Sequence, residues 1–557
     1  MIAVALLGFL GVDLVIAAKL LGILCALLTL LVLGLISQRI LFDALPAAIA
    51  WLLLVASDVF VVWSVAGLET LGFTLLLVAS IYLIAKEEKN GTIGGSSLAL
   101  AGVALIRPEG IGLVGTLTCL RVMIRWLQDK QSLALPKYLL GLSLPFVVFA
   151  GHLVFNLAYY GYPLPTTIFA KTGDLIGQIK LGYGYLYGFW RDHQVFQIFA
   201  IALLPLLFFE PASRLINILM IGTICAYALF ILVAGGDWMP SYRFIVPLLP
   251  LIYFVIAQEW VIIGRKYTPL WPVAGLTFIL GITALMGWKI WSVSETRYAP
   301  VMTIAEYTRG NERVGNLLAR LVMPGDSIAV VDAGAIPYFS GVKTIDMPGL
   351  NDRHIAHLPG GFMLKYDNEY VLAQHPTFIQ MHVIGYEGGL QPVDFIGTAQ
   401  MYYSSEFHSR YEPIIESPYI FRRRTQPLPE MQVKNFYAAR YLADVPSELA
   451  AGSVITLPVT FSNRGMLPWL ASNLGAEWGR VFVISEWKDA EGRGVHGFAR
   501  MPIPHNVLPD QTVLLNIPFS TPASVGTYLL LIDVEREKLY RLSDKGVPPF
   551  MAQVQVK

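Results

Sequence analysis

The stretch Ala104–Leu113, ALIRPEGIGL, sets an arginine and a glutamate on either side of Pro108, between two apolar runs. A charge near the middle of a bilayer costs roughly 2.5–3.5 kcal/mol on insertion scales. A membrane-loving chain therefore keeps two of them together only where something answers them. Proline cannot continue the helical hydrogen-bond ladder, so Pro108 fixes a break. Breaks at membrane depth are tolerated only against protein or a water-filled cavity. Gly94–Ile106 is too short for a full span and pairs, in this reading, with Ile111–Leu127 across the break. Arg107 and Glu109 then sit at an outer turn between two shortened helices. Either they form an ion pair that pins the turn, or they line a polar cavity.

Working outward, apolar runs recur at Val15–Ser37, Leu45–Ser64, Leu68–Ala85, Leu135–Leu157, Phe196–Phe209, Leu215–Ala234, Phe244–Ile263 and Pro269–Trp288. With Ile111–Leu127 they read as spanning helices, each near the ~20 apolar residues a bilayer requires. Ile2–Leu10 is too short to span and lacks the basic start and cleavage site of a signal peptide. The whole chain of 557 residues is 55% hydrophobic and only 14% charged, with a mean hydropathy of +0.58, which excludes an ordinary soluble enzyme. Charge is sparse before Ala299 and common after it, so a membrane part precedes a water-exposed part. The net charge of +1 gives nucleic-acid binding no support. Cys25, Cys119 and Cys225 all lie in apolar runs. The polar half therefore has neither a disulfide framework nor a cysteine zinc site.

Short loops rich in Lys and Arg face the cytoplasm. By that rule Arg39, Lys86, Lys89, Arg121, Arg125, Lys130, Lys137, Arg214, Arg265 and Lys266 lie inside. Asp13, Ser64–Glu69, Arg107–Glu109, the Tyr159–Gln194 loop and Gly235–Arg243 then lie outside, as does everything after Trp291. The expected location is the cytoplasmic (inner) membrane, multi-pass, with the C-terminal domains extracytoplasmic.

The outer loops carry the chemistry. WSVAGLET supplies Glu69 at a helix start, where it could also serve the helix dipole. YYGYPLPTTIFAKTGD (Tyr159–Asp174) supplies Tyr160 and Lys171 beside Pro163 and Pro165. GGDWMPSYRF (Gly235–Phe244) has two glycines for a tight turn, then Asp237, Trp238, Tyr242 and Arg243. Arg243 opens a span from the outside, against the inward bias of basic residues, and a guanidinium grips phosphate bidentately. No G-x-x-x-x-G-K-[ST] loop occurs, so a pre-activated lipid-phosphate donor fits better than ATP.

The same loops, GLET, LIRPEG, YYGYPLPTTIFAK, GGDWMPSYRFIVPLLPL and VVDAGAIPYFSGVKTIDMPGLNDRHIAH, together resemble the GT-C superfamily of membrane glycosyltransferases. The branch they look most like is the bacterial terminal arabinofuranosyltransferase-like one, over roughly residues 1–360. The resemblance implies an inverting transferase that moves a sugar from a polyprenyl-phosphate donor to an extracytoplasmic glycan or lipid acceptor. It implies that Arg107, Lys171 and Arg243 lie near the donor phosphate. Glu69, Glu109 and Asp237 are the carboxylates it offers for catalysis, and Tyr160, Trp238, Tyr242 and Asp332 are candidate sugar or acceptor contacts. One departure stands out. The family's catalytic aspartate, often one of a pair, belongs to a first outer loop after a first span, and nothing before Asp13 supplies it. The main base is thus expected upstream of Met1. The alternative is a catalytically inactive protein of envelope assembly that binds lipid-linked glycan or acts as a scaffold. A transporter would show an internal repeat, and none is visible.

After Ala299 the pattern changes. Thr303–Leu321 has helical spacing, and Ser327–Val331 and VKTIDM read as buried strands, with Asp332, Asp346 and Asp352 at or beyond strand ends. Ligands collect at the carboxyl ends of parallel strands, although turn and cap carboxylates look the same in sequence. His354 and His357 are three apart, but no further ligand cluster accompanies them, so no metal site is assigned. No cofactor is evident, and a divalent ion bridging the donor phosphate has no ligand spacing to support it. A linker near Arg422–Pro429 precedes short alternating runs (VITLPVTFSN, RVFVISEW, TVLLNIPF, TYLLLIDVE, MAQVQVK) that argue for an Ig-like β-sandwich. Trp469, Trp478 and Trp487 are either its core or platforms for sugar rings. The expected fold is a multi-pass α-helical membrane domain (1–299), a small extracytoplasmic α/β unit (300–425) and a C-terminal Ig-like β-sandwich (430–557).

Overall fold

The computed structural model describes residues 2–90, 94–128, 136–192, 213–237, 239–267, 281, 294–361, 363–386, 389–414, 417–472 and 476–557. The chain divides into two units: Met1–Pro165 with Thr172–Tyr307, and Thr166–Lys171 with Thr308–Lys557.

The first unit is helical: α1 (Ile2–Phe9), α2 (Leu14–Arg39), α3 (Leu45–Val55), α4 (Asp58–Ser64), α5 (Thr70–Asn90), α6 (Gly95–Ile106), α7 (Gly110–Gln128), α8 (Pro136–Tyr160), α10 (Leu175–Asp192), α11 (Arg214–Ala234), a 3₁₀ turn Arg243–Leu248 and α12 (Leu249–Tyr267). The short α9 (Thr166–Lys171) belongs to the second unit. Six helices among the described residues are long and apolar enough to cross a membrane, which makes this a multi-pass membrane protein. The expected spans Phe196–Phe209 and Pro269–Trp288 lie outside the described residues.

Local chemistry explains the boundaries. The Asp13 carboxylate accepts the N–H groups of Val15 and Ile16, both at 3.0 Å, and so caps α2. The expected span Leu45–Ser64 is made of two helices bent by 75°. Ser57 Oγ accepts the Phe60 N–H and starts α4 afresh, with Asp58 in its first turn. The Tyr159–Gln194 segment is likewise not an open loop, since α9 and α10 occupy most of it. GYGYLYG lies inside α10, where Gly182 packs on α11: a Cβ there would meet Leu232 O at 2.3 Å.

The break at Pro108 is as expected. Arg107 is extended (φ −140°, ψ 139°), the conformation a following proline imposes. Gly110 opens α7 so close to α6 that a Cβ would meet Val103 O at 2.1 Å. With 12 residues, α6 rises only about 18 Å, well short of the ~30 Å hydrocarbon core. Arg107 leaves α6 beside the first turn of α5, where a Cβ on Gly72 would meet Ile106 at 3.9 Å.

The second unit holds the end of α13 (Ser294–Leu321) and a mixed sheet of β1 (Ser327–Val330), β2 (Lys343–Asp346), β3 (Phe378–Gln380), β6 (Tyr411–Ile414) and β7 (Ser417–Arg423). Its order is β2-β1-β3-β7-β6; β1 runs parallel to β2 and β3, while β7 is antiparallel to β3 and β6. The short helices α14 (Ala335–Ser340) and α15 (Arg353–Ala356) follow β1 and β2, and β4 (Val383–Tyr386) pairs with β5 (Gly389–Pro392) as a hairpin.

From Ala439 the chain is β-rich. One sheet is β13-β10-β8, with β8 (Ala439–Ala443), β10 (Val454–Asn463) and β13 (Thr512–Ser520). The other runs β12-β11-β14-β16-β9, with β9 (Glu448–Leu449), β11 (Val481–Lys488), β12 (Gly494–Pro502), β14 (Gly526–Arg536) and β16 (Phe550–Val556); β15 (Tyr540–Arg541) pairs with β14. Strand β13 shows why: Val513, Leu515, Ile517 and Phe519 are buried and their alternates exposed. Both sheets feed one core, with Val459 and Phe461 from the first and Trp487, Ile532 and Val534 from the second. Trp469 and Trp487 are buried in that core, and Trp478 joins the core of the mixed sheet. The Trp478 and Trp487 indoles donate to Pro392 O at 3.0 Å and Ser520 O at 2.9 Å. These rings hold the fold together and are not sugar platforms.

Candidate functional site

Two polar clusters occupy opposite ends of α5, α6 and α7. At one end, Arg121 Nε and Nη1 meet Glu88 at 2.6 Å and Glu87 at 3.0 Å, and Nη1 also donates to Ser96 Oγ at 2.9 Å. Arg125 reaches Glu88 at 3.2 Å, and both guanidiniums lie over the Tyr138 ring. Two cations face two carboxylates, and Glu87 also accepts from Ser96 N–H at 2.8 Å. Four of the basic residues expected in short inner loops, Lys89, Arg121, Arg125 and Arg265, lie at this end, and Lys130 lies outside the described residues. Arg265 pairs with Asp43 at 2.8 Å, and Lys89 lies over Phe42.

The other end is built differently. Arg107 Nε meets Glu109 Oε1 at 2.5 Å, while its Nη1 stands 4.0 Å from Glu69 Oε1, beyond hydrogen-bond range. Arg243 Nε meets Asp237 Oδ2 at 2.6 Å. The two guanidiniums share the Phe244 ring, at 5.0 and 5.4 Å from its centroid; Phe73 also flanks Arg107 and Trp63 flanks Arg243. The side chains of Arg107, Glu109 and Asp237 are buried and that of Arg243 is 11% exposed, whereas the Glu69 side chain is 43% exposed. Two cations thus face three carboxylates. Asp237 Oδ1 and Arg107 Nη1 are buried without a hydrogen-bond partner. Such atoms are rare in folded proteins and ask for a ligand or an ordered water.

The loop carrying Arg243 is held in an unusual shape. Gly235 and Gly236 both have positive φ, as the tight-turn reading required. Ser241 and Tyr242 follow at φ 60° and 51°, a region that costs non-glycine residues about 1–3 kcal/mol each. Side chains hold them there. Tyr242 Oη donates to Asp192 Oδ2 at 2.6 Å, the Phe244 N–H donates to Tyr185 Oη at 3.1 Å, and Trp63 Nε1 donates to Ser241 O at 2.7 Å.

Of the expected site residues, the structure brings together Glu69, Arg107, Glu109, Asp237 and Arg243, with Tyr242 on the loop that leads into Arg243. Trp238 lies outside the described residues. Tyr160 is exposed at the end of α8, edge-on to Tyr159. Lys171 and Asp332 belong to the second unit. The aromatic floor of Phe73, Tyr227 and Phe244 went unread in sequence, because aromatic residues inside apolar spans carry no signal. Gln258 and Glu259 were also missed; they are buried in α12 with no hydrogen-bond partner at any side-chain oxygen or nitrogen.

In the second unit Asp332 does more than end a strand. Its Oδ2 meets His382 Nε2 at 2.7 Å and accepts from Gln380 Nε2 and Asn311 Nδ2, each at 3.2 Å. His382 Nδ1 lies 3.2 Å from Asp394, a residue at φ 66°. Burial opposes the imidazolium, but hydrogen bonds and charge from Asp332 and Asp394 outweigh it and lift the His382 pKa from 6.5 to about 9. A folded-state pKa raised in this way contributes stability in full below pH 6.5 and loses it as pH rises through about 9. We expect a contribution on the order of 2 kcal/mol, discounted for the exposed Asp394. Melting of the full chain near pH 7 and near pH 10 measures it. The fall in melting temperature should shrink in Asp332→Asn; an equal fall in both proteins contradicts the assignment.

Other strand-end carboxylates serve the fold. Asp352 caps α15 through the Ile355 N–H at 3.1 Å. Asp346 Oδ2 accepts the Asn351 N–H at 2.7 Å, and burial pushes its pKa up to about 6. His354 pairs with Asp367 at 2.7 Å, and His357 Nδ1 lies 2.8 Å from Arg353 O, so the two histidines do not converge on a common ligand.

Residues 300–437 match a family model described as a domain of unknown function (DUF8728). No curated protein matches the chain.

Proposed function

We propose that the protein is a membrane glycosyltransferase of the GT-C type. It takes a sugar from a polyprenyl-phosphate donor and passes it, with inversion, to an extracytoplasmic glycan or lipid acceptor. One observation carries this reading: Arg107 and Arg243 converge on one aromatic ring at the ends of apolar helices, with three carboxylates and orphaned polar atoms around them. In this reading the cluster faces outward, and the Arg121–Glu87–Glu88 cluster faces the cytoplasm. The β-rich end is read as an Ig-like sandwich and Asp332 as an acceptor contact.

Three carboxylates against two guanidiniums repel a phosphate, so donor binding must break the Arg107–Glu109 or Arg243–Asp237 pair. A guanidinium forks onto phosphate as it does onto a carboxylate, so the phosphate can take the place of the displaced carboxylate. The displaced carboxylate is then free beside the sugar, where it removes the proton of the acceptor hydroxyl. The acceptor oxygen bonds to the anomeric carbon from the opposite face as the carbon–oxygen bond to phosphate breaks. The electron pair leaves on polyprenyl phosphate, stabilised by the two guanidiniums. The resemblance also gives Lys171, on α9 of the second unit, a phosphate-binding role.

A second reading rests on the same pairing. Guanidiniums already neutralised by their neighbours suit a non-catalytic relative that binds the hydroxyls of a lipid-linked glycan. A transfer assay separates the two, with the full chain in nanodiscs and radiolabelled polyprenyl-phosphate pentoses and hexoses as donors. Release of polyprenyl phosphate matched by label in an acceptor supports the transferase; retention of intact donor supports the binding protein.

A further inference from the structure

Lys365 is an anomaly in the second unit. Only 5% of it is exposed, and its Nζ donates to two carbonyl oxygens, Phe169 O at 2.6 Å and Ala356 O at 3.1 Å. Among the described residues it has no carboxylate partner. A buried ammonium is expensive, and an apolar side chain of the same volume usually packs at lower cost. Burial does push the Lys365 pKa down.

The two acceptors explain its retention. Phe169 lies in the last turn of α9, and Ala356 is the last residue of α15. Carbonyls in a last turn have no partner within their own helix, and they form the negative end of its dipole. One ammonium therefore closes the C-terminal ends of both helices at once. The Phe169 ring stacks on His357, the residue after α15, at 4.4 Å and 30°, and Ala170 is fully buried. Yet Pro165 and Thr172, the neighbours of α9 in sequence, cluster with the membrane unit. Within the second unit, the Lys365 ammonium and the Phe169–His357 stack both tie α9 to α15.

We infer that Lys365 is a positioning residue: by tying α9 to α15 it fixes Lys171, the last residue of α9, for contact with a lipid phosphate. The inference rests on the phosphate role given to Lys171 above, but the grip on α9 stands apart from it.

The test uses the full chain in nanodiscs with two readouts. The first is hydrogen–deuterium exchange of residues 166–171, with residues 327–330 of β1 as the control for folding. Lys365→Met should speed exchange in α9 about tenfold and leave β1 protected; Phe169→Ala, which keeps the ammonium, should loosen α9 as well. Lys365→Arg should restore much of the protection. The second is affinity for undecaprenyl phosphate. Lys365→Met should weaken it about tenfold when Lys171 is present and not at all in Lys171→Ala. Unchanged exchange of 166–171 in Lys365→Met overturns the grip. Equal loss of affinity with and without Lys171 overturns the positioning role. An unaffected Lys171→Ala protein removes the phosphate role of Lys171, while exchange still decides the grip.

Discussion

Arg243→Ala in the full chain is expected to lower affinity for undecaprenyl phosphate about a hundredfold. The Arg243 guanidinium is little exposed and is set among Phe244, Trp63 and Asp237. Its replacement removes a bidentate charge-assisted contact worth about 3 kcal/mol. It also leaves Asp237, already 99% buried, as an unpaired negative charge where the phosphate should sit. Both effects act in the same direction, so the loss should exceed that of a surface lysine by far. Arg243→Lys should be intermediate, because an ammonium keeps the charge but not the fork. Fluorescence titration with the lipid in detergent measures all three proteins. A loss of melting temperature with affinity intact would mean that Arg243 only pins the Gly235–Leu248 turn.

Arg121→Ala should show the opposite pattern. It is 1% exposed and answers Glu87 and Glu88 together. Removing one member of a buried ion network leaves the others uncompensated and costs about 3–5 kcal/mol. The expected result is a large fall in melting temperature with undecaprenyl phosphate affinity per folded molecule unchanged. Adding Glu87→Gln to Arg121→Met should recover much of the stability, since Glu88 keeps Arg125 as its partner. If Arg121→Ala instead abolishes lipid binding in folded protein, the distinction between the two ends of the bundle fails.

How much of this could be read from the residues themselves follows from their chemistry. Pro108 announced the helix break because it cannot continue the helical ladder, and Arg243 stood out because it opens a span from the outside, against the inward bias of basic residues. Ser57 did not stand out. Within Leu45–Ser64 the apolar average conceals a hydroxyl that restarts a helix, so two bent helices read as one span. The aromatic floor was invisible for the same reason, since Phe244 in an apolar run looks like any lipid-facing residue. His382 was silent as a lone histidine and gains meaning only when β1 and the β3–β4 turn bring Asp332 to it. Lys171 was placed with Arg107 by its loop, while tertiary contact assigns α9 to the other unit. Local signals gave breaks, caps and strand alternation; contacts between distant segments gave the clusters.

The claim on which the account turns is that Arg107 and Arg243 exist to hold an anionic lipid head. Its most direct test is a paired titration of the full chain with undecaprenyl phosphate and with undecaprenol, which share the apolar tail and differ in the phosphate. The account predicts that the phosphate form binds at least about a hundredfold tighter, and that this preference disappears in the Arg107→Ala, Arg243→Ala double variant. Equal affinity for the two lipids, or a preference that survives the double variant, would contradict it.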